Sequence, residues 1–190
     1  MEVGLYFGSF NPIHVGHLII ANHMKEYSKL DEVWFVVSPH SPFKEKKSLL
    51  NDYHRLDIVH KALYNYPKLR VSDIEFHLPQ PNYTSRTLVE LKEKHPKHKF
   101  SLIMGEDNLA TLHKWKNHEY ILDNHEIFVY PRPGYNKPDT LKNKKVHLVE
   151  APLMEISASA IRKGIRDGKY LRPLLPEGIW DYLEEQNFYR

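Results

Sequence analysis

The 190-residue sequence contains no cysteine. Without a thiol there is no disulfide framework, no thiolate-bound zinc or iron–sulfur centre, and no cysteine nucleophile. Long apolar runs are lacking too. Each is a few residues long, against the roughly 20 that a membrane-spanning helix needs. Residues 1–8 show no basic leader segment and carry Glu2. Charge of one sign is scarcely in surplus: 27 Lys and Arg oppose 24 Asp and Glu, a net +3 that suits a small anionic ligand better than a nucleic-acid backbone. These shortages lead us to expect one cytoplasmic domain over residues 1–190, with neither nucleic acid nor membrane as partner.

Histidine, by contrast, is plentiful, with 13 copies. His14 and His17 stand three apart and His23 six further on, with no HExxH pattern, so no protein-built metal site is expected. His95, His98, His118 and His125 sit in charged or turn-like surroundings and read as surface or capping residues.

Short runs rich in β-branched, aromatic and leucine residues alternate with longer segments of helical period. That alternation predicts an α/β fold, with a mostly parallel sheet flanked by helices. Strands are expected at Val3–Phe7, Val33–Val37, Leu69–Ser72, Phe100–Met104, Ile127–Tyr130 and Val146–Val149. Helices are expected at Val15–Lys29, Asp52–Tyr64, Thr84–Lys94 and Ile179–Gln186. Their core stripes read as Leu18, Ile19, Asn22, Met24 and Tyr27 in the first, and Leu56, Val59, His60 and Leu63 in the second, with Asp52 as an N-cap. Leu88 and Leu91 face the core from the third, and Ile179, Tyr182 and Leu183 from the last. Two long loops, Ser38–Lys47 and Pro131–Lys145, exceed ordinary connection lengths and are candidates for holding ligand.

After the first strand comes Gly8-Ser9-Phe10-Asn11-Pro12-Ile13-His14-Val15-Gly16-His17. Gly8 permits a tight turn and close approach of the backbone to an anion. The following helix start then offers unpaired N–H groups backed by the positive end of its dipole. His14 and His17, at i and i+3, share one side of that first turn, and Gly16 between them leaves room for a ligand. Near the other end, Ser157-Ala158-Ser159-Ala160-Ile161-Arg162 predicts a serine-capped helix start with a guanidinium close by. It is either an ordinary capped helix or a second phosphate cage.

The first segment resembles the GxFxPxHxGH signature of the nucleotidyltransferase superfamily. Ile156 to Arg162 resembles its ISxTxxR motif, with Ser159 in the Thr place. Intervening pieces resemble the bacterial nicotinate-nucleotide adenylyltransferase family: Ser38-Pro39-His40-Ser41-Pro42-Phe43-Lys44, Asn82-Tyr83-Thr84, Met104-Gly105-Glu106-Asp107, Trp115, Arg132-Pro133-Gly134 and the terminal Tyr189-Arg190. The likeness spans the chain. It implies a Rossmann-like three-layer fold and transfer of the adenylyl group of ATP to nicotinate mononucleotide, releasing pyrophosphate, in NAD biosynthesis.

By that resemblance His14, His17, Lys44 and Arg162 would carry catalysis. Gly8, Ser9, Phe10, Gly105, Asp107, Ser157 and Ser159 would join His14, His17 and Arg162 in binding ATP. Asn11, Lys44, Tyr83, Thr84, Trp115, Lys116 and Arg132 would bind the mononucleotide. Mg²⁺ would arrive with ATP. Read from residue type alone, Trp115 is equally a rim aromatic and Asp107 equally a helix cap. The chain departs from the motif at Phe7, which reads as the last inward strand residue where the family writes a glycine, and at Asn11, which stands where it writes aspartate. Other acceptors remain open, nicotinamide mononucleotide or phosphopantetheine among them, as do a non-catalytic nucleotide-sensing module and assembly as a homo-oligomer.

Overall fold

A computed structural model describes residues 1–39, 49–135 and 143–190. Most of the Ser38–Lys47 loop, Lys44 included, and residues 136–142 of the second loop lie outside the described residues. The strands are β1 (Glu2–Gly8), β2 (Glu32–Val37), β3 (Leu69–Ser72), β4 (Lys99–Gly105), β5 (Ile127–Tyr130) and β6 (Val146–Leu148). They form one sheet in the order β3-β2-β1-β4-β5-β6, with every pairing parallel. The helices are α1 (Val15–Glu26), α2 (Asp52–Leu63), α3 (Thr84–Lys94), α4 (Glu106–Thr111), α5 (His118–Asn124), α6 (Ala158–Arg166) and α7 (Ile179–Glu185).

Parallel strands need crossover helices, and these cover both faces of the sheet. β2 is accordingly buried along its whole length. Alternation splits the core in two. Tyr6, Phe35, Ile103 and Phe128 face α1, α2, α6 and α7, while Leu5, Trp34, Val36 and Leu102 face α3, α4 and α5. The chain winds outward from β1 through β2 to β3, then returns to lay β4 on the other side of β1. This reversal opens a crevice at the carboxyl ends of β1 and β4, where open α/β sheets hold ligands.

Several local expectations need correction. α1 stops at Glu26, and Tyr27 is 73% exposed; Ile19 also faces outward, so the buried stripe is Leu18, Ile20, Ala21 and Met24. The N-cap of α2 is Asn51, whose side chain accepts from the Tyr53 N–H, while Asp52 is the first helical residue and pairs with Arg55 at 2.6 Å. The inward face of α2 carries Arg55, Ile58, Val59, Ala62 and Leu63, leaving His60 exposed and Leu56 only partly covered. His125 is buried, its Nδ1 bonded to the Phe100 carbonyl at 2.9 Å. Phe7 does not end β1, which runs on to Gly8, and it is only half-buried.

Candidate active site

At Gly8 an added Cβ would lie 2.8 Å from the Phe10 ring. Phe10 holds a φ of 44°, which reverses the chain and folds its ring back over the glycine. A side chain at position 8 would therefore displace the ring that meets His17 edge-on at 5.1 Å between centroids. The His14 N–H donates to His17 Nδ1 at 3.2 Å, and the two imidazoles stack at 3.7 Å. Nδ1 of His17 is thus the unprotonated nitrogen of the neutral ring, leaving the proton on Nε2. His14 is 5% exposed yet lines a cavity. Burial, aided by the Arg132 charge, lowers its pKa from 6.5 to about 4, so it is neutral at physiological pH. Gly16 serves His14 directly: a Cβ there would sit 3.1 Å from His14 Nδ1, so the room the glycine leaves is filled by the imidazole.

Ser157 caps α6, its hydroxyl accepting from the Ala160 N–H at 3.2 Å. Arg162, one turn on, donates to the Asn11 carbonyl at 2.7 Å and to Ser159 Oγ at 3.3 Å. The guanidinium thereby ties the start of α6 to the turn after β1. Both helix starts line a cavity of about 650 Å³, together with Gly8, Ser9, Phe10, Asp107 and Arg132. Gly105 supports this cavity from behind: as the N-cap of α4 it has no space for a Cβ beside Asp107 and Arg132.

A second cavity, of about 670 Å³, opens on the other face of the sheet and holds Tyr83, Thr84, Trp115 and Lys116. Trp115 is half-buried, and Lys116 Nζ lies 4.5 Å from the centre of the Tyr83 ring. Tyr83 caps α3 with no side-chain bond, so the first amides of that helix meet no side-chain cap. The two cavities share Phe7, Gly8, Ser9, Ile103, Met104 and Asn108 as a common wall.

Two residues assigned to the mononucleotide from sequence sit instead with the first cavity. Asn11 is 2% exposed, and its Oδ1 accepts from the Leu50 N–H and from the Tyr189 hydroxyl, at 3.2 and 2.7 Å. Arg132 lies 3.7 Å from Asp107 Oδ1, donates its backbone N–H to Glu106 and reaches the Met154 carbonyl.

Arg55 went unnoticed in the sequence. Fully buried, it donates to the carbonyls of Ser9, Ser38, Pro39 and Leu50 as well as to Asp52. An arginine at i with Ile58, Val59 and Ala62 at i+3, i+4 and i+7 was the available signal, since a charge on an apolar face must be bonded. Glu75, also unnoticed, is buried in the wall of the second cavity and accepts from Thr87 Oγ1 at 2.8 Å. Burial raises its pKa, against the lowering effect of bonds from Ser38 and Thr87.

The cytidylyltransferase-like family model matches residues 5–164. A protein of Flavobacterium johnsoniae named "probable nicotinate-nucleotide adenylyltransferase" is 56% identical, covering all of both chains. The chain belongs to the nicotinate-nucleotide adenylyltransferases. A more distant adenylyltransferase of the same name, from Bacteroides fragilis, is 43% identical over 97% of this chain and 92% of its own. Among solved structures, the Plasmodium falciparum nicotinic acid mononucleotide adenylyltransferase complexed with NaAD superposes at a TM-score of 0.82. That match covers 99% of this chain and 97% of the other, at 23% identity, and bears out the adenylyltransferase's α/β architecture.

Proposed function

We propose that the first cavity holds ATP and the second the mononucleotide, so that the two phosphates meet over Gly8 and Ser9. The reaction is adenylyl transfer from ATP to nicotinate mononucleotide, a step of NAD biosynthesis. The observation that carries the spatial reading is the shared wall: two substrate-sized cavities on opposite faces of the sheet meet along the end of β1 and its glycine turn, at Phe7, Gly8 and Ser9, and along Ile103, Met104 and Asn108. A phosphate oxygen of the mononucleotide attacks the α-phosphorus, and the bond to the bridging oxygen breaks as pyrophosphate leaves. The nucleophile is already an anion, so no covalent enzyme intermediate is needed.

The protein's task is alignment and charge. His17 presents its Nε2–H and His14 its neutral ring beside the α-phosphate, while Ser157, the α6 start and Arg162 receive the departing pyrophosphate. Lys44, outside the described residues, retains its assigned part as a phosphate cation. In the second cavity Trp115 stacks on the pyridine ring, and the uncapped α3 start at Thr84 receives the ring carboxylate. Asn11 and Arg132 act from the ATP side. Asp107 is the one carboxylate among the described residues of the first cavity, with its Oδ1 lacking a hydrogen-bond partner. That sparse donor set fits Mg²⁺ held chiefly by triphosphate oxygens and water, where it would neutralise phosphate charge. We further place the protein in the cytoplasm as one domain; no helix among the described residues is long and apolar enough to cross a membrane.

The test is pyrophosphate release with ATP against nicotinate and nicotinamide mononucleotides in parallel. Faster turnover with the nicotinate form supports the reading of the α3 start as a carboxylate site. Equal turnover removes that assignment, and release with neither removes the reaction.

A further inference from the structure

Tyr6 and Tyr130 form a buried pair in the first cavity that the mechanism above leaves unused. Tyr6 lies on β1 and Tyr130 closes β5, on either side of β4. Tyr6 pairs in register with Ile103 and Tyr130 with Gly105, two residues further along β4 and on the same face, so the two side chains meet diagonally across β4. Their hydroxyl oxygens are 3.2 Å apart, and both residues line the ATP cavity. The Tyr6 ring is held edge-on by Phe10 and by His17, each 6.0 Å away between centroids. Asp107 and Arg132 lie close enough for their charges to act on both phenols, and burial raises the pKa of each, keeping both protonated.

Two phenols bring two protons, but one hydrogen bond between them uses one. No other hydrogen bond to either hydroxyl is formed among the described residues. A buried O–H without an acceptor is costly, and the open side of this pair is the cavity itself. The triphosphate end is already served by α1, α6 and Arg162, whereas the phenols sit at the strand ends beside Asp107 and Arg132. We propose that the Tyr6–Tyr130 pair is an ATP-binding element, donating its second proton to the nucleoside portion of ATP lying over Ile103. This rests on assigning ATP to the first cavity. It makes the pair an affinity determinant for ATP and gives it no part in the phosphoryl chemistry.

The experiment measures steady-state kinetics for Tyr6→Phe, Tyr130→Phe and the double variant. Replacing both phenols keeps both rings and leaves no orphaned partner, so the double variant is the one expected to fold most securely. Its KM for ATP should rise by about fivefold to tenfold, the worth of one lost hydrogen bond, with kcat and the KM for nicotinate mononucleotide within about twofold of normal. One single variant should carry most of the loss, naming the hydroxyl that touches ATP. A purely structural pair would lower the melting temperature and leave the KM for ATP unchanged in all three, which overturns the proposal. Ser157→Ala, run alongside, separates the two failures. If it raises the KM for ATP while the phenylalanine variants do not, only the tyrosine pair is rejected; if it too is silent, the cavity assignment falls.

Discussion

His14 and His17 combine two demands that usually conflict, burial and polarity. The stacked rings are fixed by a backbone N–H bond, a glycine that makes room and an edge-on phenylalanine, so the fold itself sets their orientation, as the proposed role of donors to phosphate would require. Removing one should therefore cost turnover rather than folding. We expect His17→Ala to lower kcat on the order of a hundredfold or more while the circular dichroism spectrum stays native. Near-normal turnover would dismiss His17 from the mechanism. His14 also ties stability to pH. Its pKa falls from 6.5 to about 4 on folding, so below about 6.5 the unfolded chain takes up a proton that the native protein refuses. Stability from this residue is complete above that value and is lost as pH drops toward 4. The amount is up to about 3 kcal/mol at one pKa unit per 1.36 kcal/mol. His125, lowered by burial, acts in the same direction. Urea midpoints at pH 7 and pH 4.5 should differ less in His14→Asn than in the parent, and equal differences would refute the assignment.

At the level of elements, α2 works as a clamp for the turn at Ser9. Arg55 projects from it and gathers carbonyls from three separate segments, flanking residues 40–48 on both sides. Arg55→Met should leave those carbonyls without donors inside the fold and cost about 3–5 kcal/mol. For a chain of this length that is roughly 10 °C in Tm. A calorimetric Tm within about 2 °C of the parent would show that the bonds carry little. Legibility also divides along this line. Strands and the long helices were readable because their signals are local: alternation, helical period, a glycine turn, a serine before an alanine-rich start. α4 and α5 each bury a single apolar residue, Leu109 and Ile121, too few to show a period, whereas the equally short α7 buries Ile179, Trp180 and Leu183; Asn51 took the cap from Asp52 because its side chain accepts from the Tyr53 N–H.

For the whole molecule, what stayed hidden is what folding alone brings together. Tyr6 meets Tyr130 across 124 positions, and Asn11 meets Tyr189 across 178; no spacing rule spans such gaps. The histidine motif named the chemistry, but the placing of Asn11 and Arg132 together at the first cavity needed the sheet, because its two faces carry different cavities. That division is testable. Trp115→Ala should raise the KM for the mononucleotide about tenfold, the loss of one stacking face, and leave the KM for ATP alone. A rise in both would mean that the cavities are not independent.

The common wall at Gly8 and Ser9 bears on how the enzyme empties. With the substrates placed as proposed, the dinucleotide would straddle that wall with one ring system anchored on each side, so either end, once loosened, would be held near its berth by the other. Departure of the finished molecule would then demand that both grips relax together, which would make the step that ends each cycle a natural place for turnover to be throttled.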